Sequence, residues 1–258
     1  MTHVFALALF TKINFMLPQD ANTNVLMLLR WIHFLAGITW IGLLYFFNLV
    51  NVPSMRQFDP ATKAKVVPVL VLRALQWFRF SALLTVLMGY GYWSIIVASD
   101  SRNAQASDGG VFGSFFLIWT VVWAIQYGLV IPLKGPLNNG IVLGILNAIL
   151  LIAAACLFLK MNSRGWESNR LLAIGIGGGL GWVMMLNVWG VIWRINKKII
   201  RWTRESAETG KPMPEQATRM ARQAFLMSRI NFYMSIPMLF FMGAASHYPM
   251  FGTRPPLP

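Results

Sequence analysis

Arg30, His33, Gly37 and Trp40 lie in the stretch LLRWIHFLAGITWIGLLYFF, residues 28 to 47, at positions i, i+3, i+7 and i+10. On an α-helix these four share one face. That face offers a guanidinium, an imidazole, a position with no side chain and an aromatic plate. A haem b requires a neutral imidazole for its iron, room for the porphyrin against a backbone and a cation for its propionates. The same residues fit a second reading, in which His33 hydrogen-bonds a neighbouring helix and Arg30 snorkels to the membrane interface. Spacing does not separate the two.

Other polar residues in apolar surroundings extend the set. His247, in GAASHYPM, is a candidate haem-iron ligand alongside His33, or else an interfacial histidine next to Tyr248. Arg73, Gln76 and Arg79 form a slowly turning stripe that reads either as a snorkelling helix end or as substrate contacts. Asn187 and Asn231 are embedded amides suited to interhelical hydrogen bonds. Glycines 175 and 179, and again 177 and 181, repeat every four residues inside an apolar run with no strand before them. That excludes a dinucleotide fingerprint and predicts close helix packing.

The elements that carry these residues are membrane helices. Of the 258 residues, 57% are hydrophobic and 12% charged, and mean hydropathy is +0.57. The apolar residues come in runs of about 20 or more, the length of a spanning helix. The expected fold is therefore all-α and polytopic, with spans near 24–51, 67–98, 111–133, 139–160, 170–196 and 225–247. Residues 1–23 read as an apolar interfacial segment or an additional helix, 24–248 as the transmembrane domain and 249–258 as a tail. The connection RWTRESAETGKPMPEQATRMARQ, residues 201–223, reads as a solvated amphipathic helix and turn, broken at Pro212 and Pro214.

Charge refines this picture. The net charge of +14 is concentrated in loops and span ends, where it suits anionic lipid headgroups rather than nucleic acid. With the basic connections at 51–66 and 194–222 on the cytoplasmic side, the C-terminus faces outward and both His33 and His247 fall in the outer half. His33 is then about 14 Å deep at 1.5 Å per residue. All eight acidic residues fall in loops or termini. That argues against proton-relay pumps and cation-coupled transporters, and it leaves embedded arginines without a carboxylate partner. The single cysteine, Cys156, excludes an intrachain disulfide and a CxxCH haem attachment, so any haem is held non-covalently.

LLRWIHFLAGITWIG and SRINFYMSIPMLFFMGAASHYP resemble the membrane region of the bacterial cytochrome-linked urate oxidases, and NVWGVIWRINKKII resembles it more loosely. The first stretch, with its H-x6-W, also resembles the small membrane protoporphyrinogen oxidases. The urate oxidase resemblance implies an inner-membrane oxidoreductase that passes electrons to a c-type cytochrome domain. The matching positions are Arg30, His33, Gly37, Trp40, Asn231, Tyr233, Pro237, His247 and Tyr248. Asn231 and Tyr233 thereby join Arg73 and Arg79 as candidate substrate contacts. Without a CxxCH, the expected partner is a separate c-type cytochrome. The competing expectation is a non-catalytic chain that stabilises other membrane subunits of a larger complex.

Overall fold

The computed structural model describes residues 18–133 and 135–251. Residues 1–17 of the N-terminal segment, His3 among them, and 252–258 of the tail lie outside the described residues. No strand occurs among the described residues. Six helices are long and apolar enough to cross a membrane: α1 (Ala21–Gln57), α2 (Pro60–Asn103), α3 (Gly109–Val130), α4 (Gly140–Asn162), α5 (Asn169–Thr209) and α6 (Gln216–His247). The protein is an all-α polytopic membrane protein.

All six expected spans are present, but α1, α2 and α5 run well past their apolar stretches. At 44 residues α2 is about 66 Å long, roughly twice the hydrocarbon thickness. Beyond the bilayer the polar start of α2 packs against the end of α5. The amphipathic end of α5 buries Ile195 and Ile200 and leaves Arg194, Lys197, Lys198 and Arg201 exposed. It stops at Gly210, whose φ of 70° gives the left-handed cap that glycine adopts without penalty. Short π-helical segments at Phe46–Asn51, Val67–Val71 and Val188–Ile192 lie in the same half of the molecule.

The starts of α1 and of α2 are set by carboxylate caps. Asp20 accepts from the Thr23 hydroxyl and backbone N–H, each at 2.7 Å, and Asp59 accepts from the Thr62 N–H at 2.6 Å. Both carboxyls are held below the usual carboxylate range, Asp20 chiefly by the Thr23 hydroxyl and Asp59 chiefly by the Thr62 N–H.

Helices α1 and α2 pair along most of their shared length, as do α5 and α6, and α2 packs on α5 to join the two pairs. Helix α3 covers the α5 face and α4 packs outside α3. Glycine permits the tightest of these approaches. A Cβ on Gly179 would collide with the buried indole of Trp119, and one on Gly175 with the ring of Phe158, so each glycine receives a large aromatic from a neighbouring helix. Below this seam, Asn187 on α5 donates to Gln126 on α3 at 3.0 Å and to Asn231 on α6 at 2.9 Å, while Asn231 donates to the Met184 carbonyl. These fully buried amides lock three helices together.

Candidate functional site

Where the two helix pairs diverge they enclose a cleft of about 860 Å³, within the size range of cofactor pockets. Residues between Arg30 and Gly42 of α1, Thr85 and Trp93 of α2, Arg170 and Trp182 of α5, and Met238 and His247 of α6 line it. The body is apolar. Polar groups gather at the end where α6 finishes, with Arg30, His33, Tyr92, Arg170, Ser246 and His247. No carboxylate is among the lining residues.

His33 is fixed by a backbone carbonyl. Its Nδ1 lies 2.7 Å from the oxygen of Thr85, the neutral imidazole donating N–H to the C=O. That interaction leaves Nε2 as the lone-pair nitrogen, the arrangement in which a histidine ligates a metal. The ring reaches the carbonyl because residue 89, one turn further along α2, is glycine. A Cβ there would lie 2.8 Å from both Nδ1 and Cε1 of the imidazole. Gly37, one turn from His33 on α1, sits 3.7 Å (measured from an added Cβ) from the Thr85 methyl, which draws the two helices together beside the ring.

Among the described residues Arg30 has no carboxylate partner; its guanidinium donates to the Tyr92 hydroxyl at 2.5 Å and lies 5.1 Å from the centre of that ring. An aromatic hydroxyl spreads the charge without neutralising it, so the cation remains available to an anion. Arg170, exposed at the start of α5, lines the opposite wall. Trp40 is buried in the α1 wall, and its indole N–H has no partner among the described residues.

The α5 wall is backbone. Gly177, Gly178 and Gly181 line the cleft, and the Met238 sulfur lies 3.6 Å from the position of a Cβ on Gly181. Three of the four repeat glycines serve packing, with 175 and 179 receiving aromatics and 177 pressed against α6, where a Cβ would lie 3.0 Å from the Phe241 Cβ and 3.2 Å from the Met238 carbonyl oxygen, while 181 borders the cleft with an ordinary contact. On α6, Pro237 removes one ladder hydrogen bond immediately before Met238, the first α6 residue in the cleft. Phe34, Ile38 and Leu239 line the cleft and are also exposed, so it opens sideways between α1 and α6 as well as toward the His247 end.

The structure brings Arg30, His33, Gly37, Trp40 and His247 to one cleft, but the other candidates lie elsewhere. Arg73 is exposed on the long basic half of α2. Arg79 is boxed by aromatic rings, its guanidinium carbon 3.8 Å from the Trp193 ring centre and 4.4 Å from that of Phe80. Asn231 is occupied in the amide network, and Tyr233 is 62% exposed on the outer face of α6. None of these four lines the cleft. Residues that sequence reasoning passed over include Thr85, Gly89, Tyr92 and Arg170. The signal for Gly89 was available in MGYGYW, two glycines separated by one residue inside an apolar span. Comparison with protein-family models, curated proteins and solved structures finds no match to this chain.

The cleft thus brings together an imidazole held in one tautomer, glycines 178 and 181 on the α5 side and, among the described residues, two arginines without carboxylate partners at the polar end. Among the described residues no cluster of three or more His, Cys, Asp or Glu side chains is arranged to hold a bare metal ion.

Proposed function

We propose that this protein is a haem b-carrying oxidoreductase of the bacterial inner membrane, with the His247 end facing outward, that oxidises urate or a similar anionic substrate and passes electrons to a separate c-type cytochrome. The observation that carries the redox reading is the imidazole of His33 held on the Thr85 carbonyl over Gly89, with no hydrogen-bond partner on Nε2 among the described residues. The substrate and the electron acceptor rest on the sequence resemblance alone.

When bound, a haem b supplies one-electron transfer at its iron. The chain's own groups do the rest. Were a haem b bound, His33 would offer Nε2 to its iron, with the Nδ1 proton held on the Thr85 carbonyl to fix the ring's orientation. His247 reaches the same cleft from α6 and would offer a second donor. Arg30 and Arg170 hold anionic groups at the polar end, while Phe34, Ile38 and Met238 keep the body of the cleft dry.

The absorbance spectrum of the purified protein tests the cofactor. A Soret band that is lost or shifted in His33→Ala is expected; a wild-type preparation without one, or a band indifferent to that change, overturns the assignment. Urate-dependent reduction of added cytochrome c tests the reaction, and a haem-loaded protein inert to urate would remove the substrate and keep the redox reading. A second reading, a non-catalytic subunit that stabilises a larger complex, draws on the sideways opening flanked by exposed Phe34, Ile38 and Leu239, a place for a partner's helix. Isolation of an active chain without co-purifying subunits decides against it.

A further inference from the structure

The last turn of α6 carries His247, and helix ends are where backbone carbonyls lack partners and chains fray. Here the end is not closed by glycine, because Tyr248 turns away in an extended conformation (φ −136°, ψ 99°). Its last backbone bond, from the Tyr248 N–H to the Ala244 carbonyl at 2.9 Å, is joined by a side chain from another helix. Nδ2 of Asn169, the first residue of α5, lies 3.1 Å from the carbonyl of Ala245 and 3.4 Å from those of Ala244 and Tyr248. Its Oδ1 accepts from the backbone N–H groups of Met250 at 2.9 Å and Phe251 at 3.0 Å. The segment after His247 is thereby folded back, and the Phe251 ring stacks on Phe241 with planes 14° apart.

Asn169 is itself rigidly placed. Ser168 caps α5 by accepting from the Leu171 N–H at 3.1 Å, and the Ser168 N–H is bonded to Asp100 at the end of α2 at 3.3 Å. Clamp and helix end are therefore tied to both helix pairs that form the cleft. The imidazole of His247, by contrast, is exposed and borders both the cleft and an outer pocket of about 510 Å³ that also contains Asn169 and Arg170. No hydrogen bond holds that ring among the described residues, so its place is set through the backbone. The backbone at that point is set by Asn169.

We propose that Asn169 is the positioning residue for His247, clamping the end of α6 so that the imidazole is held at the cleft as the second axial donor to the iron. This rests on the haem reading above and adds to it a residue that touches neither the cofactor nor the substrate. A group acting through the backbone of a ligand leaves a signature in the spin state that loss of general stability does not produce.

The test compares the haem-loaded full chain with Asn169→Ala, Asn169→Asp and His247→Ala by absorbance and electron paramagnetic resonance, and measures the affinity of each for added imidazole. The wild type is expected to be six-coordinate and low-spin, and His247→Ala five-coordinate and high-spin. Asn169→Ala should retain its Soret intensity, move to the high-spin form and bind imidazole about ten- to a hundredfold more tightly than wild type, matching the usual effect of losing a group that orients a ligand. Asn169→Asp keeps the acceptor for Met250 and Phe251 and loses the donor to the three carbonyls. It should show the same change, and it serves if the alanine variant does not fold. A low-spin spectrum unchanged in the Asn169 variants while His247→Ala turns high-spin overturns the proposal, as does a His247→Ala protein that stays low-spin. A wild type without haem sinks the cofactor reading itself, a result distinguishable from both.

Discussion

At the scale of single residues, the site depends on a contact between an imidazole and a position that has no side chain. A helix carbonyl normally sits beneath the side chain one turn ahead, so a donor from another helix reaches it only where that side chain is missing. Gly89 is the residue that uncovers the Thr85 oxygen for His33. Gly89→Ala should therefore push the ring off the carbonyl, costing about 1–3 kcal/mol through overpacking in addition to the lost hydrogen bond. The expected outcome is a weakened and shifted Soret band with α1 and α2 still paired. A variant whose spectrum and haem content match wild type would show that the ring has room to spare. Arg30 supplies a second residue-scale expectation. Its aromatic partner is Tyr92, so Tyr92→Phe should leave the cation in place with a stronger demand for an anion, and Arg30→Gln should lower haem retention more than Tyr92→Phe does, read as the haem content surviving gel filtration.

At the scale of elements, helix approach is set by which glycines accept aromatics. Gly179→Ala forces a methyl into Trp119, which is fully buried, whereas Gly181→Ala meets only the Met238 sulfur at 3.6 Å, an ordinary contact. The first should lower the melting temperature in detergent by the equivalent of about 1–3 kcal/mol and the second by much less; equal losses would remove the distinction between packing and cleft glycines. The helix starts carry the acid sensitivity. Asp20 and Asp59 have carboxyl pKa values depressed by Thr23 and Thr62, so their contribution is present above the ordinary value near 4 and is lost as pH falls through the depressed folded value. The protection of the Thr23 and Thr62 amides, taken relative to their intrinsic exchange rates, should fall in that acid window and not above it. The helices were legible in the sequence because apolar runs of spanning length have no other solution in a bilayer. Their ends were less so: nothing in hydropathy marks where the polar extensions of α1, α2 and α5 cease to be helical, and among these extensions Asp59–Pro60 before α2 and Gly210 after α5 carry the explicit signals.

At the scale of the whole molecule, the two ends differ in charge and in chemistry. The end bearing the 210–215 connection presents Arg194, Lys197, Lys198, Arg201 and Arg204, and among the described residues only Arg201 has a carboxylate partner, Glu205 at 3.5 Å. The other end holds the mouth of the cleft. Half of that cleft could be read from the chain in advance, since Arg30, His33 and Gly37 lie on one helix face and periodicity places them together. The other half could not, because the partner of His33 is a backbone carbonyl and Arg170 enters from a helix start that reads as a loop charge. The division of charge leads to an orientation that can be measured. Each cation near an anionic leaflet contributes about 1 kcal/mol, and basic segments are retained on the cytoplasmic side. Five exposed cations on the end of α5 therefore outweigh the four at the opposite end, Arg102, Lys160, Arg164 and Arg170. With Cys156 replaced by serine, a cysteine at Ser206 should react with a membrane-impermeant maleimide only after cells are opened, and one at Tyr248 in intact spheroplasts. The reverse pattern would turn the cleft toward the cytoplasm, where an externally supplied c-type cytochrome could not receive its electrons, so this measurement bears on the electron acceptor as directly as any turnover assay.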